Sequence, residues 1–112
     1  MTLYQWKAAG HYFTYKQHQI FVNESGSGET LLLIHGFPTA SWDWHLLWPA
    51  LTQRYHVLAP DLLGFGFSDK PRNYPYSILD QANMIEALLQ QKNIQRVKII
   101  SHDYGDTVAQ EL

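Results

Sequence analysis

The chain has 112 residues, of which 46% are hydrophobic and 16% charged, a composition typical of a single soluble globular domain. Its formal net charge of -2 gives no electrostatic reason to expect nucleic acid or an anionic membrane surface as a partner. There is no cysteine, which excludes disulfides and thiolate zinc sites, and no pair of the six histidines has metal-site spacing. We therefore expect neither a metal nor another cofactor, and the sequence carries no signal of oligomeric state.

The amino-terminal region predicts a hairpin rather than a targeting segment. Residues 1–16 mix polar side chains among aromatic ones and lack a continuous apolar stretch, so they predict neither a signal peptide nor a membrane span. A cytoplasmic location is the default expectation. Residues 11–15 and 18–22 read as two short strands, and residues 23–28 have the composition of a loop.

The middle of the chain alternates predicted strands and helices. Residues 30–34 form a continuous apolar run, as in a strand covered on both faces by helices. Apolar spacing predicts a helix over residues 42–54, followed by a strand over residues 56–59. After a loop at residues 62–76, residues 78–91 have the pattern of an amphipathic helix. This alternation predicts an α/β fold with a mostly parallel sheet, an opening antiparallel hairpin and helices on both faces.

Three loops are expected to converge in such a fold, because ligands bind at the carboxyl ends of parallel strands. The loops follow Ile34, Ala59 and Ile100, each the last residue of a predicted strand. The candidate functional residues are therefore sought in these three segments.

The third loop has a strand-turn-helix pattern with an aspartate at its centre. Residues 96–100 predict a buried strand and residues 106–112 can open a helix, as the nucleophile-elbow motif G-x-S-x-G requires. Ser101 and Gly105 are its small flanking residues, and Asp103 takes the central position. Were Ser101 the nucleophile, the preceding flank would be a bulky isoleucine. A carboxylate nucleophile suits displacement at a saturated carbon and gives an alkyl-enzyme ester, although an aspartate there could also be a plain helix N-cap.

The first loop begins His35, Gly36, Phe37 and supplies candidate backbone donors. Gly36 allows the backbone to approach a ligand closely. The N–H groups of Phe37 and of Tyr104, the residue after the central aspartate, are the candidate oxyanion-hole donors. His35 is interpreted as a buried hydrogen-bonding organiser of this loop rather than as a catalytic base.

The second loop is interpreted as structural. Gly64 and Gly66 lack the third glycine and the immediate helix of a phosphate-binding motif. Asp61 is expected to bond backbone amides below the site. Trp42 adjoins the first loop and is a candidate substrate contact, whereas His102 is expected to point away from Asp103's side of the turn and is a poor candidate base.

Residues 35–38, 61–68 and 101–105 together resemble the α/β-hydrolase fold family, in the branch of epoxide hydrolases and haloalkane dehalogenases whose nucleophile is an aspartate. Residues 64–71 and 101–112 have their nearest resemblance to the mesoderm-specific transcript-like group. Complete members of that group are associated with the endoplasmic reticulum membrane, which the resemblance makes an alternative location.

The resemblance implies a reaction and narrows it. It implies Asp103 as nucleophile, the Phe37 and Tyr104 amides as oxyanion donors, and a small-molecule electrophile such as an epoxide as substrate. Haloalkane dehalogenases typically carry Asn at the position of Phe37 and Trp at that of Tyr104, which disfavours dehalogenation here. Epoxide hydrolases tolerate Phe37, although most have Trp where Tyr104 stands.

The resemblance covers the N-terminal half of the fold and stops at Leu112. In the family, the catalytic histidine, its acid partner and the cap follow the nucleophile, so we expect an N-terminal fragment that is inactive alone. The last predicted strand would then lie at an uncovered sheet edge. The alternatives are a haloalkane dehalogenase-type hydrolase, a non-catalytic remnant or scaffold of the fold, or a ligand-binding α/β protein in which the aspartate turn is only a cap.

Overall fold

The computed structural model describes residues 1–112, whose strands form one five-stranded sheet. The strands are β1 (His11–Tyr15), β2 (His18–Ser25), β3 (Thr30–Ile34), β4 (His56–Pro60) and β5 (Lys98–Ser101). They lie in the order β1-β2-β4-β3-β5. β2 pairs antiparallel with β1 and with β4, whereas β3 pairs parallel with both β4 and β5. The α/β class and the opening hairpin are confirmed, and this part of the sheet is mixed, with three mutually parallel strands.

Helices cover both faces of the sheet. They are α1 (Leu3–Ala9), a 3-10 turn (Ser41–Trp44), α2 (Trp48–Thr52), α3 (Ile78–Gln91) and α4 (Tyr104–Gln110). Because side chains alternate along a strand, Leu32 and Ile34 of β3 join the core beneath α3 and α4. Leu31 and Leu33 of the same strand join the other core, with tryptophans of α1 and α2. This explains the continuous apolar run, and the prediction of helices on both faces is confirmed.

The helix predicted over residues 42–54 is shorter than expected. The chain instead makes the 3-10 turn and a separate helix that starts at Trp48. Pro49 lies in the first turn of α2, where its missing N–H costs nothing, but its ring would clash with the carbonyl group four residues back in a continuous helix. No helix of the protein combines the length and apolarity needed to cross a membrane.

Helix α1 was not predicted, although the sequence contains its start signal. The Gln5 N–H donates to Thr2 Oγ1 over 3.1 Å, and the Thr2 N–H donates to Gln5 Oε1 over 2.8 Å. This reciprocal pair is a capping box. The helix buries Trp6, whose Nε1–H donates to Ser41 Oγ over 3.1 Å, and so α1 is fixed to the loop that follows β3.

The expectation that residues 96–100 form a buried strand was wrong. β5 lies at the edge of the sheet and pairs only with β3, so Ile99 and Ile100 remain 37% and 40% exposed. The expectation that the last strand would lie at a sheet edge is confirmed. The following helix starts at Tyr104, earlier than the predicted residue 106, and this places it directly after Asp103.

Candidate active site

Three loops meet at one edge of the sheet because β3, β4 and β5 are parallel and end together. The loops after β3 and β5 are joined by a hydrogen bond from the Phe37 N–H to Asp103 Oδ2, 3.0 Å long. The loops after β3 and β4 are joined by one from the Leu62 N–H to His35 Nε2, 2.9 Å long. The structure therefore brings the three predicted segments together.

Asp103 stands at the corner between β5 and α4. Its backbone has φ 55° and ψ -120°, a conformation that residues other than glycine rarely adopt. Its carboxylate makes no capping hydrogen bond to α4 and is exposed. The side-chain N-cap alternative is therefore wrong. The carboxylate faces the Phe37 N–H, and this N–H lowers the pKa of Asp103 below its ordinary value. The Tyr104 N–H makes a second, smaller contribution in the same direction.

The small residues around the corner are required by close contacts. A Cβ atom at Gly36 would lie 2.8 Å from the Asp103 Cβ. A Cβ atom at Gly105 would lie 2.3 Å from the His35 carbonyl oxygen, so α4 could not pack this closely on β3. The half-buried Ser101 donates its hydroxyl to Asp106 Oδ1 over 3.0 Å, which ties the end of β5 to α4.

His35 is fully buried beneath the corner, with both ring nitrogens engaged. Because Nε2 accepts from the Leu62 N–H, Nδ1 carries the proton and donates to the Gly36 carbonyl over 2.7 Å. Burial lowers the pKa of this imidazole, which favours its neutral form. The ring orients two loops and has no nitrogen free to take a proton.

Asp61, the residue after β4, is buried and accepts two backbone N–H groups. Oδ1 accepts from Ser41 over 2.7 Å, and Oδ2 accepts from Phe67 over 2.8 Å. Gly66 lies against it with φ 54°, and a Cβ atom there would be 2.2 Å from Oδ2. The contacts are of the kind predicted for Asp61, and they fix the loop after β4 to the loop after β3.

An apolar pocket of about 380 Å³ adjoins both residues that carry the candidate donors; it is lined by Phe37, Leu63, Gly64, Phe65, Tyr76 and Tyr104. The sequence analysis did not identify the four residues that come from the segment after β4. The sequence signal for this pocket was the presence of aromatic side chains in the loop after β4, which the sequence analysis interpreted as purely structural.

Trp42 and His102 do not line this pocket. Trp42 stacks on the His45 ring at 3.7 Å and lines a different pocket, together with Trp6. The structure does not bring it to the pocket beside Asp103. The exposed His102 lines a third pocket with Asp43 and other residues. Closeness in sequence to the first loop therefore did not predict where the Trp42 side chain lies.

Comparison with known proteins agrees with this arrangement. A family model described as alpha/beta hydrolase fold matches residues 29–111. The mesoderm-specific transcript homolog protein of Homo sapiens is 54% identical over 117 aligned residues, covering 98% of this chain and 35% of that protein. The corresponding protein of Mus musculus is 53% identical. The chain spans about a third of the length of these curated relatives.

Solved structures give the same result. The epoxide hydrolase CorEH superposes with a TM-score of 0.86 and 31% identity, covering 91% of this chain and 36% of that one. A loop variant of the haloalkane dehalogenase DbeA from Bradyrhizobium elkanii superposes with a TM-score of 0.83 and 30% identity, covering 89% and 34%. The matched residues, the sheet and the three converging loops show that the chain belongs to the α/β-hydrolase fold family.

Proposed function

We propose that this chain carries the nucleophile of an epoxide-hydrolase-like enzyme and that Asp103 is that nucleophile. The observation that carries the proposal is the Asp103 carboxylate, exposed at a strained corner, with the Phe37 N–H 3.0 Å from Oδ2. Phe37 and Tyr104, the residue after Asp103, both line an apolar pocket. Strained backbone at a ligand pocket is typical of functional sites.

The first step is displacement at carbon. The Phe37 N–H holds Oδ2, so Oδ1 is the oxygen left to attack. Oδ1 forms a bond to an epoxide carbon, the C–O bond of the ring breaks, and the ring oxygen leaves as an alkoxide that takes a proton from an acid or from solvent. The product is an ester of Asp103 whose carbonyl oxygen is Oδ2.

The second step is hydrolysis of that ester. Water attacks the Asp103 Cγ atom, a base takes its proton, and negative charge develops on Oδ2. The amides of Phe37 and Tyr104 would then act as an oxyanion hole, since donors already aimed at the developing charge need no reorganisation. On collapse the bond from Cγ to the alkyl oxygen breaks, and the protonated base gives its proton to that oxygen, which releases the diol. The resulting carboxylic acid loses its proton to solvent, which restores the carboxylate.

The ester is expected to accumulate on the 112-residue chain. Its hydrolysis needs a base, and both nitrogens of the buried His35 are bound to backbone groups. The resemblance implies that the histidine and acid that complete the reaction follow the nucleophile. We therefore expect this chain alone to form the adduct without turning over.

The test is covalent trapping with phenyloxirane, read by intact-mass and peptide mass spectrometry. We expect one added oxirane on the peptide that contains Asp103, and none there in the matched variant Asp103→Asn. The same adduct at equal rate in both proteins, or none in either, would leave the scaffold alternative in place.

A halide probe separates the two enzyme classes of the branch. With 1-bromo-2-phenylethane, Oδ1 would displace bromide and leave a phenylethyl ester. Phe37 and Tyr104 offer the site no Asn or Trp side chain for the departing halide. We expect slower labelling by the bromide than by the oxirane, and faster labelling would favour the dehalogenase alternative.

A further inference from the structure

The pocket beside Asp103 is walled mainly by aromatic rings. Four of its six lining residues are aromatic: Phe37, Phe65, Tyr76 and Tyr104. The Phe37 and Phe65 rings meet edge to face, with centroids 5.8 Å apart and planes at 85°. The Phe65 and Tyr104 centroids are also 5.8 Å apart. The wall therefore presents both ring faces and ring edges.

These rings are not simply part of the core. Phe37 is 64% exposed and Tyr76 is 44% exposed, whereas the core side chains of the sheet are covered almost completely. Apolar rings that line a pocket and remain reachable from solvent can pack against a ligand that enters it. An apolar cavity of roughly 150 Å³ already holds a benzene ring, so this pocket is large enough for one.

Tyr76 comes from the segment before α3 and is held over the pocket by three contacts. Its ring lies on Gly64, where a Cβ atom would be 2.8 Å from Tyr76 Cε1. Its hydroxyl donates to the Pro71 carbonyl over 2.8 Å. Its ring also packs on Tyr74, at 5.1 Å between centroids, and the Tyr74 hydroxyl donates to Asp80. The position of the ring is therefore fixed before any ligand arrives.

We propose that this pocket is an aryl subsite and that Tyr76 is its specificity-determining residue. The inference deepens the proposed function, on which it rests, by naming the substrate class as an electrophile with an aryl substituent. The aryl group packs among the rings while its reactive carbon faces Asp103. Aromatic pairs contribute about 1 kcal/mol beyond area burial, so a benzene ring is preferred to a saturated ring of the same size.

The experiment uses two unreactive alcohols, benzyl alcohol and cyclohexylmethanol, titrated into the chain and followed by NMR shifts of the pocket residues. Wild type is expected to bind benzyl alcohol about fivefold more tightly. Tyr76→Leu keeps an apolar side chain and is expected to lose that preference. Tyr76→Phe keeps the ring without the bond to Pro71 and is expected to retain it.

The outcomes separate this inference from the proposed function. Equal affinity for the two alcohols in wild type, or a preference that survives Tyr76→Leu, overturns the aryl subsite even where Asp103 is labelled by electrophiles. An aryl preference that depends on Tyr76 and persists in Asp103→Asn supports the subsite, and it does so even if no electrophile labels Asp103, a result that would remove the proposed nucleophile.

Discussion

Asp61 and Asp103 form a natural pair, since both follow strands of the sheet and both carboxylates accept backbone N–H groups. Asp61 is 1% exposed and takes its donors, Ser41 and Phe67, from two loops that it joins. Asp103 is exposed, receives the Phe37 N–H, and has a backbone with φ 55°. The same acceptor chemistry therefore holds a fold together in one place and leaves an oxygen open in the other.

Burial and backbone strain distinguish the two roles. Removing the Asp61 carboxylate would leave two buried N–H groups without partners, which is costly. The Asp103 carboxylate is open to solvent and sits on a backbone that destabilises the fold. We therefore expect replacement of Asp61 to lower the free energy of unfolding, and a replacement of Asp103 that relieves the backbone strain to raise it.

The largest effect is expected from Asp61→Ala. The N–H groups of Ser41 and Phe67 would lose their acceptor in a buried site, which is expected to lower the free energy of unfolding by about 3 kcal/mol. Urea unfolding followed by circular dichroism measures this change. Asp61→Asn keeps one acceptor and is expected to lose less. An Ala variant as stable as wild type would contradict the structural role of Asp61.

Gly105→Ala is expected to have the next largest effect and to change both stability and chemistry. The new methyl group would lie 2.3 Å from the His35 carbonyl oxygen and 2.5 Å from that of Ile34, both on backbone that cannot rotate away. Overpacking of this kind costs about 2 kcal/mol, and we expect labelling of Asp103 to fall because the corner must move.

The control for Gly105→Ala is Thr107→Ala, which changes an exposed residue of the same helix. Surface changes of this kind usually alter stability by less than about 0.5 kcal/mol. If the two variants unfold at the same urea concentration and label equally, the packing of α4 against β3 does not position the corner.

Asp103→Gly is expected to stabilise the protein. Glycine adopts φ 55° readily, so the strain at the corner is released and the free energy of unfolding is expected to rise by about 1 kcal/mol. Asp103→Asn retains the Cβ atom and the strain, and so serves as the matched control, with stability near that of wild type. Lower stability in the Gly variant than in the Asn variant would show that the corner is relaxed.

The sequence predicted the parts of this site that depend on periodicity and motif. The bounds of β3 and α3 matched the structure because an apolar run and an amphipathic repeat are local signals. The position of Asp103 between a strand and a helix was predicted for the same reason. The position of the Tyr76 ring on Gly64 could not be predicted, because it depends on how the loop folds back on itself across 12 residues and on the positive φ of Gly64.

Trp42 illustrates the opposite error. Its closeness in sequence to the first loop made it a candidate substrate contact, but its indole stacks on His45 and faces another pocket. Whether a side chain follows the loop or turns back depends on packing partners that sequence distance does not contain. Helix α1 adds a signal that was present and overlooked, the Thr2 and Gln5 capping box.

The smallest effect, and the most direct view of Asp103, is its ionisation. The Phe37 N–H, then the Tyr104 N–H, stabilises the carboxylate, so its pKa in the folded chain lies below the ordinary value of 3.8. Because the folded pKa is the lower one, the stabilising contribution is present above the unfolded pKa and is lost as pH falls through the folded value. Carboxyl ¹³C shifts of Asp103, recorded in the folded chain and in urea, measure both. We expect the rate of labelling by phenyloxirane to fall as the pH is lowered through the folded pKa of Asp103, since only the carboxylate attacks. A folded pKa at or above the value in urea would mean that the two amides do not stabilise this carboxylate.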